Sequence, residues 1–233
     1  MMSNVKYVHT EVMHNLTSPQ IIVPYVMDLV NPKSVLDVGC GIGTWLHAFK
    51  ENGIDDIFGI DGDYVDKNLL SKYISTDQFK SFDLEKPFDL ERKFDLLINL
   101  EVAEHLKESS AKTFVESLCK HADVVLFSAA IPKQGGQNHL NEQWPSYWQN
   151  LFAQQGYVFL DIMRPLIWEN DAVEFWYKQN MFVVVKSEHP LAQQHTPSAT
   201  ALVHPDLFHA VHLQLENKLS FKKIINKLLS LFR

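Results

Sequence analysis

The sequence has little cysteine: two in 233 residues, Cys40 and Cys119. They form neither a disulfide framework nor a metal-ligand spacing. They read as reduced cytosolic thiols, and no metal is expected. Long apolar runs are also missing, and none approaches the ~18 residues of a membrane span. The start, MMSNVKYVHTEV, is polar and lacks the apolar stretch of a secretory signal. Positive charge is in deficit, with 21 basic against 28 acidic residues and a formal net charge of −7. Phosphate neutralisation needs clustered Lys and Arg, so a nucleic-acid partner is not expected. There is no internal repeat and no low-complexity tract. At roughly 150 residues per domain, the length suits one large domain or a domain with an appendage, and its core needs no metal or disulfide staples.

What is present is alternation. SVLDV (34–38) is a β-branched apolar run, followed by the glycine-rich GCGIG (39–43) and a helical stretch, TWLHAFKENG. IFGID (57–61), FKSFDL (79–84), FDLLINL (94–100) and ADVVLFS (122–128) read as four more strands, with one long helix predicted over 104–121. Strand–helix alternation of this kind predicts an α/β fold with a parallel sheet, and near-continuous apolar strands fit a sheet covered on both faces. Ser18-Pro19 can start a helix over about 18–30. In the second half, 129–143 is a Gly/Gln/Asn-rich loop, and 144–156 is helical after Pro145 with Gly156 as its stop. YVFLDIM (157–163) and NMFVVVK (180–186) are two further strands, and 188–200 has linker character. The domain reading is therefore 1–186 with an N-terminal helical cover over about 1–31, a linker at 187–200 and a helical tail at 201–233.

The glycine loop carries the main chemical signal. Ligands of open α/β sheets sit beyond the carboxyl ends of the strands, and glycines there let backbone approach a ligand closely. Asp61 ends the next strand about 20 residues on, where an acid can accept both ribose hydroxyls. A nucleoside-containing cofactor is expected. The glycines fall at 39, 41 and 43, so Thr44 takes the third position of the dinucleotide fingerprint G-x-G-x-x-G/A. Asp37, two residues before the first glycine, would repel a pyrophosphate but attract an ammonium group. These features favour a ligand with a cationic amino-acid end over a diphosphate.

The residues resemble the class I S-adenosylmethionine-dependent methyltransferases, small-molecule branch. VLDVGCGIG is similar to their first motif, GID ending at Asp61 to their second, SFDLEKPF with Asp83 to the acid that meets the adenine amino group, and FDLLINLEVAEHL (94–106) to the strand-four motif. The resemblance spans about residues 17–186. It implies a Rossmann-like sheet of seven mostly parallel strands, helices on both faces and an antiparallel last strand. It also implies S-adenosylmethionine as cofactor, held at Asp37, Gly39, Cys40, Gly41, Gly43, Thr44, Trp45, Asp61, Gly62, Phe82, Asp83, Leu84, Leu100 and Glu101. Cys40 has no base beside it, so its small side chain rather than nucleophilicity accounts for it. Two alternatives stay open: an NAD(P)-dependent oxidoreductase on a related sheet and a non-catalytic nucleoside-binding module.

Methyl transfer to a hydroxyl needs alignment, water exclusion and proton removal. His139, in the loop after the fifth strand amid Gln137, Asn138, Asn141, Glu142 and Gln143, is the candidate base. His105 can orient acceptor or cofactor, and Glu101 completes the catalytic candidates while more naturally touching the cofactor. His9 and His14 belong either to a disordered N-terminal arm, the favoured reading, or to an N-terminal lid over the site. Trp144, Tyr147, Trp148, Trp168, Trp176 and Tyr177 offer faces for sugar stacking or core. No N-P-P-Y-like tetrad follows strand four, where Asn99-Leu100-Glu101-Val102 stands instead, so nucleobase amino groups are disfavoured. The segments 127–152, 164–168 and 176–180 more loosely resemble bacterial methyltransferases of surface-polysaccharide and glycan modification, which implies a saccharide or sugar-linked small molecule as acceptor. The tail LSFKKIINKLLSLFR (219–233) is amphipathic, with Phe221, Ile224, Ile225, Leu228 and Phe232 on one face and Lys222, Lys223, Lys227 and Arg233 off it. Such a helix packs on the domain or a partner copy, or lies on an anionic membrane. Localisation is read as cytoplasmic, with peripheral contact at the inner membrane and homo-oligomerisation left open.

Overall fold

The computed structural model describes residues 7–213 and 215–217. The chain order is α1 (Thr17–Val30), β1 (Ser34–Val38), α2 (Thr44–Glu51), β2 (Asp56–Asp61), α3 (Lys67–Leu70), β3 (Phe79–Ser81), β4 (Leu96–Leu100), α4 (Ala111–His121), β5 (Val124–Ser128), α5 (Pro145–Ala153), β6 (Tyr157–Leu160), α6 (Met163–Ile167), α7 (Phe175–Asn180), β7 (Phe182–Lys186) and α8 (Pro190–Gln194). The seven strands form one sheet in the order β3-β2-β1-β4-β5-β7-β6. β1 to β5 pair in parallel, and β7 runs antiparallel to both β5 and β6. The order reverses between β1 and β4, which sets the crevice of a doubly wound sheet at their carboxyl ends.

Alternate strand residues feed two cores. Val35, Ile57, Leu96, Ile98, Val124 and Leu126 meet Ile22 and Val26 of α1 and Leu46 and Phe49 of α2 on one face. Leu36, Val38, Leu97, Val125 and Phe127 meet Phe114 and Leu118 of α4 and Trp148 and Phe152 of α5 on the other. The period of two along each strand, with both faces apolar, is why the strands read as unbroken hydrophobic runs.

Two sequence expectations are corrected. The helix predicted over 104–121 begins only at Ala111, after single 3-10 turns at Ala103–His105 and Glu108–Ser110. The carbonyl of Glu104, which a continuous helix would use internally, accepts instead from the Leu140 and Asn141 N–H groups of the loop after β5. A tertiary contact has taken the helix's own hydrogen bond. Residues 188–200 are not a bare linker: α8 buries Leu191 in the core, and Ser198 N–H donates to the Phe159 carbonyl at 2.8 Å. The aromatic side chains of the second half divide: Trp148 is core, and Trp144 is 43% exposed. Residues 205–213 are helical, while the amphipathic stretch 219–233 lies outside the described residues. Among the described residues no helix is long and apolar enough to cross a membrane.

Candidate active site

The loop after β1 is built by backbone. Gly39 and Cys40 N–H groups both donate to the Ile60 carbonyl, at 2.7 and 3.2 Å, which turns the chain sharply over β2. Gly39 has φ +87°, and a Cβ there would sit 2.3 Å from Val102 Cγ2, so only glycine fits where this loop meets the end of β4. Gly41, at φ +52°, donates its N–H to Asp61 Oδ2 at 2.7 Å, and Gly62 donates to Asp61 Oδ1 at 2.5 Å. The Asp61 carboxylate thus ties the glycine loop to the end of β2. The Tyr64 hydroxyl is a third donor to this carboxylate, whose remaining acceptor capacity suits one more donor such as a ribose hydroxyl. Burial raises the Asp61 pKa, and the two N–H donors pull it back. Gly43 precedes α2, whose first residues Thr44 and Trp45 are buried, with Trp45 Nε1 facing the Tyr177 hydroxyl at 3.4 Å.

Asp37 is 4% exposed on β1, and its Oδ2 has no hydrogen-bond partner. Burial, and then the nearby Asp61 charge, push its pKa well up. A buried acceptor without a donor is a costly arrangement that an incoming cation relieves. The ammonium of an amino-acid end is such a group, so the residues fit S-adenosylmethionine. Phe82 N–H donates to the Asp61 carbonyl at 2.7 Å, and Leu84 is buried. Asp83, which the resemblance assigns to the adenine, is exposed and paired with Lys86 at 3.0 Å, a contact that lowers its pKa. Cys40 packs where Gly59 leaves room, and its thiol is pushed up by burial, which suits a packing role.

The other end of the crevice is formed by the turn after β4. Past Leu100, Glu101 takes φ +54°, and its N–H donates to the Ser128 carbonyl and hydroxyl at 3.0 and 3.1 Å. Its carboxylate accepts from Gln134 Nε2 at 2.9 Å and Asn180 Nδ2 at 3.1 Å. Burial, only partly offset by these donors, lifts its pKa to about 7. Glu104 is fully buried beside it and is pushed further up, first by burial and then by the Glu101 charge. The His105 and His139 rings meet edge to face with centroids 4.8 Å apart. Burial and then His139 lower the His105 pKa to about 4. His139 Nδ1 is 2.9 Å from Glu142 Oε1, and Glu142 also accepts from the Lys133 and Gly135 N–H groups, at 2.6 and 2.7 Å. That carboxylate folds the loop and orients the imidazole.

His9 and His14 come to the glycine loop: a Cβ on Gly41 would lie 2.9 Å from His9 Cδ2. Tyr7 contacts His105 at 5.0 Å between centroids, and its pKa is raised first by burial and then by Glu104, Asp61 and Glu101 in that order. The segment 7–14 therefore spans from Asp61 to the His105–His139 pair. Sequence reasoning missed Glu104, Gln134, Asn180 and Gln179, whose Nε2 donates to Gln134 Oε1 at 3.1 Å. The Glu101/Glu104 spacing with His105 adjoining was a usable signal. The buried amides of α7 had none.

Comparison with known proteins bears on the family and the fold. Residues 19–151 match the family model described as a methyltransferase domain. No curated protein sequence matches the chain. Similar solved structures include CalS10, an amino pentose methyltransferase from Micromonospora echinaspora with bound S-adenosylmethionine (14% identity, 80% of this chain and 100% of that one, TM-score 0.59). Magnesium protoporphyrin IX methyltransferase from Synechocystis, with the same cofactor bound, is similar at 19% identity (79% and 87%, TM-score 0.54). The methyltransferase domain of bacterial CtHen1 is similar at 20% identity (73% and 98%, TM-score 0.53). At these identities the likeness concerns the fold, and the family match sets aside the oxidoreductase alternative. By its matched domain, its sheet order and its glycine loop, the chain belongs to the class I S-adenosylmethionine-dependent methyltransferases.

Proposed function

We propose that the protein transfers a methyl group to a hydroxyl of a saccharide or sugar-linked small molecule. The observation that carries this reading is the His139–Glu142 pair at 2.9 Å, set beside His105 at the acceptor end of the crevice. A neutral amine can attack a methyl donor unaided. A hydroxyl must lose its proton, and an imidazole oriented by a carboxylate is suited to take it. Bound at the glycine loop, S-adenosylmethionine supplies an electrophilic methyl and a neutral thioether leaving group. The chain's own work is done by Asp37 and Asp61, which hold the amino-acid and ribose ends, and by His139, which receives the acceptor's proton. Glu101 and His105 shape the space between. The acidic net charge of −7 disfavours a nucleic-acid acceptor. CalS10, a sugar methyltransferase of the same fold, lends support to a saccharide.

The test is to incubate the full chain with isotopically labelled donor and a library of saccharides and nucleotide sugars, reading methyl gain by mass spectrometry. His139→Ala is expected to lower turnover by roughly 10²-fold or more with donor affinity near wild type. Asp61→Ala is expected to weaken donor binding by roughly tenfold or more, as loss of a charged acceptor implies. Methylation of an amine, or full turnover without His139, would overturn the reading.

A further inference from the structure

We infer that Glu104, His105 and His139 form a site for one divalent first-row transition-metal ion at the acceptor end of the crevice. One ligand atom from each residue lies within 4.8 Å of the other two, close enough for an ion placed among them. The three come together from a 3-10 turn after β4 and a loop some 34 residues later, pinned by the two N–H bonds from Leu140 and Asn141 to the Glu104 carbonyl. Glu104 is 0% exposed, and neither carboxyl oxygen makes a hydrogen bond of good geometry, its own N–H, that of Ala130 and the Glu101 carboxyl lying nearest. His105 Nδ1 is likewise buried without a partner. Orphaned buried polar atoms are rare in native proteins, and an ion is one of the few things that accounts for three of them at one point.

His139 is prepared in the way metal-binding imidazoles are. Its Nδ1 is taken up by Glu142, which leaves Nε2 as the free nitrogen and fixes the ring's direction. Two imidazoles and one carboxylate favour a transition ion over Mg²⁺ or Ca²⁺, which prefer oxygen alone. Three protein ligands leave coordination positions open, as in catalytic rather than structural sites. Glu101, held by Gln134 and Asn180, adds a second acidic group alongside.

The site's role, though not its existence, rests on the methyl-transfer reading. An acceptor hydroxyl held on the ion releases its proton to solvent more readily, and its oxygen is then the nucleophile. His139 serves as ligand in that loaded state and as the base of the proposed reaction when the ion is absent.

The test uses the full chain, stripped of metal by chelation and dialysis. Co²⁺ is titrated by calorimetry and visible absorption, with Zn²⁺ as competitor, and donor binding is measured on the same samples. Expected are one Co²⁺ per chain with a ligand-field spectrum, displaced by Zn²⁺. Affinity should fall at least tenfold in Glu104→Gln and His105→Asn, with donor binding retained. His139→Asn, in a surface loop, should give the same loss and stands in if the buried variants fail to fold. No uptake by the wild type, or uptake unchanged in all three variants, overturns the site. Failure of wild-type donor binding would strike the methyl-transfer reading instead, and the Co²⁺ titration decides the metal site in either case.

Discussion

The two ends of the crevice are made differently. The end we propose for the donor is backbone and local: Gly39 and Cys40 bond to Ile60, and Asp61 collects the N–H groups of Gly41 and Gly62. All of it comes from two consecutive strand–loop units. The acceptor end is side chain and long-range. Glu101 and Glu104 follow β4, Gln134, His139 and Glu142 follow β5, and Asn180 closes α7. Backbone geometry makes the first end tolerant of side-chain change except at its glycines and at the carboxylates of Asp37 and Asp61. The second end depends on which side chains happen to meet.

The contact between the two ends gives the largest expected effect. Gly39→Val puts a β-branched side chain at φ +87°, with its Cβ within 2.3 Å of Val102 Cγ2. Left-handed strain and overpacking together are expected to cost about 3 kcal/mol of stability. Val102 adjoins Glu101, so the variant should lose donor binding and turnover together, checked by thermal unfolding and donor calorimetry. Retained turnover with normal donor affinity would mean that the two ends are not coupled through this contact.

The same division explains what could be read from the sequence. The strands, α1, α2, the glycine loop and Asp61 are legible because each is a local pattern: apolar period, glycine spacing, an acid at a strand end. The start of α4 is not, because the Glu104 carbonyl is claimed by residues 140 and 141, which no local propensity encodes. His139 is legible as a polar-loop histidine, but its pairing with His105 is a tertiary fact. Glu104 would have read as a solvated helix residue, yet it is wholly buried. Asp83 was identified by motif position, and its pairing with Lys86 across three residues is a local alternative that the motif does not encode.

A smaller effect tests the acceptor end alone. Asn180→Leu removes the donors to Glu101 Oε1 at 3.1 Å and Gln134 Oε1 at 2.9 Å. Losing a hydrogen bond to a charged group costs about 1.5–3 kcal/mol. Turnover is expected to fall by roughly tenfold or more with donor affinity little changed, as steady-state kinetics beside donor calorimetry will register. A parallel loss of donor affinity would place Glu101 with the donor end, as the family resemblance implies.

The smallest effect concerns the segment that bridges both ends. His9 lies against Gly41, stacks on Tyr64 at 5.8 Å and sits 4.0 Å from Asp61 Oδ2. Burial, reinforced by His14 and His105, lowers its pKa to about 3. His14 is lowered by burial as well. The closed segment therefore holds neutral imidazoles, whereas the opened one takes up protons near the ordinary value of 6.5. Opening binds protons, so closure is independent of pH above that value and weakens as pH falls from 6.5 towards 3. For His9 alone, going from about pH 7.5 to 5.5 should raise the opening constant roughly tenfold, at 1.36 kcal/mol per pKa unit. Hydrogen exchange of residues 7–14 without donor should be flat above neutrality and accelerate below it, less steeply in His9→Phe. If exchange in the wild type stays flat down to about pH 5, the segment is not held against the donor end by its buried histidines, and the two ends of the crevice lack this bridge.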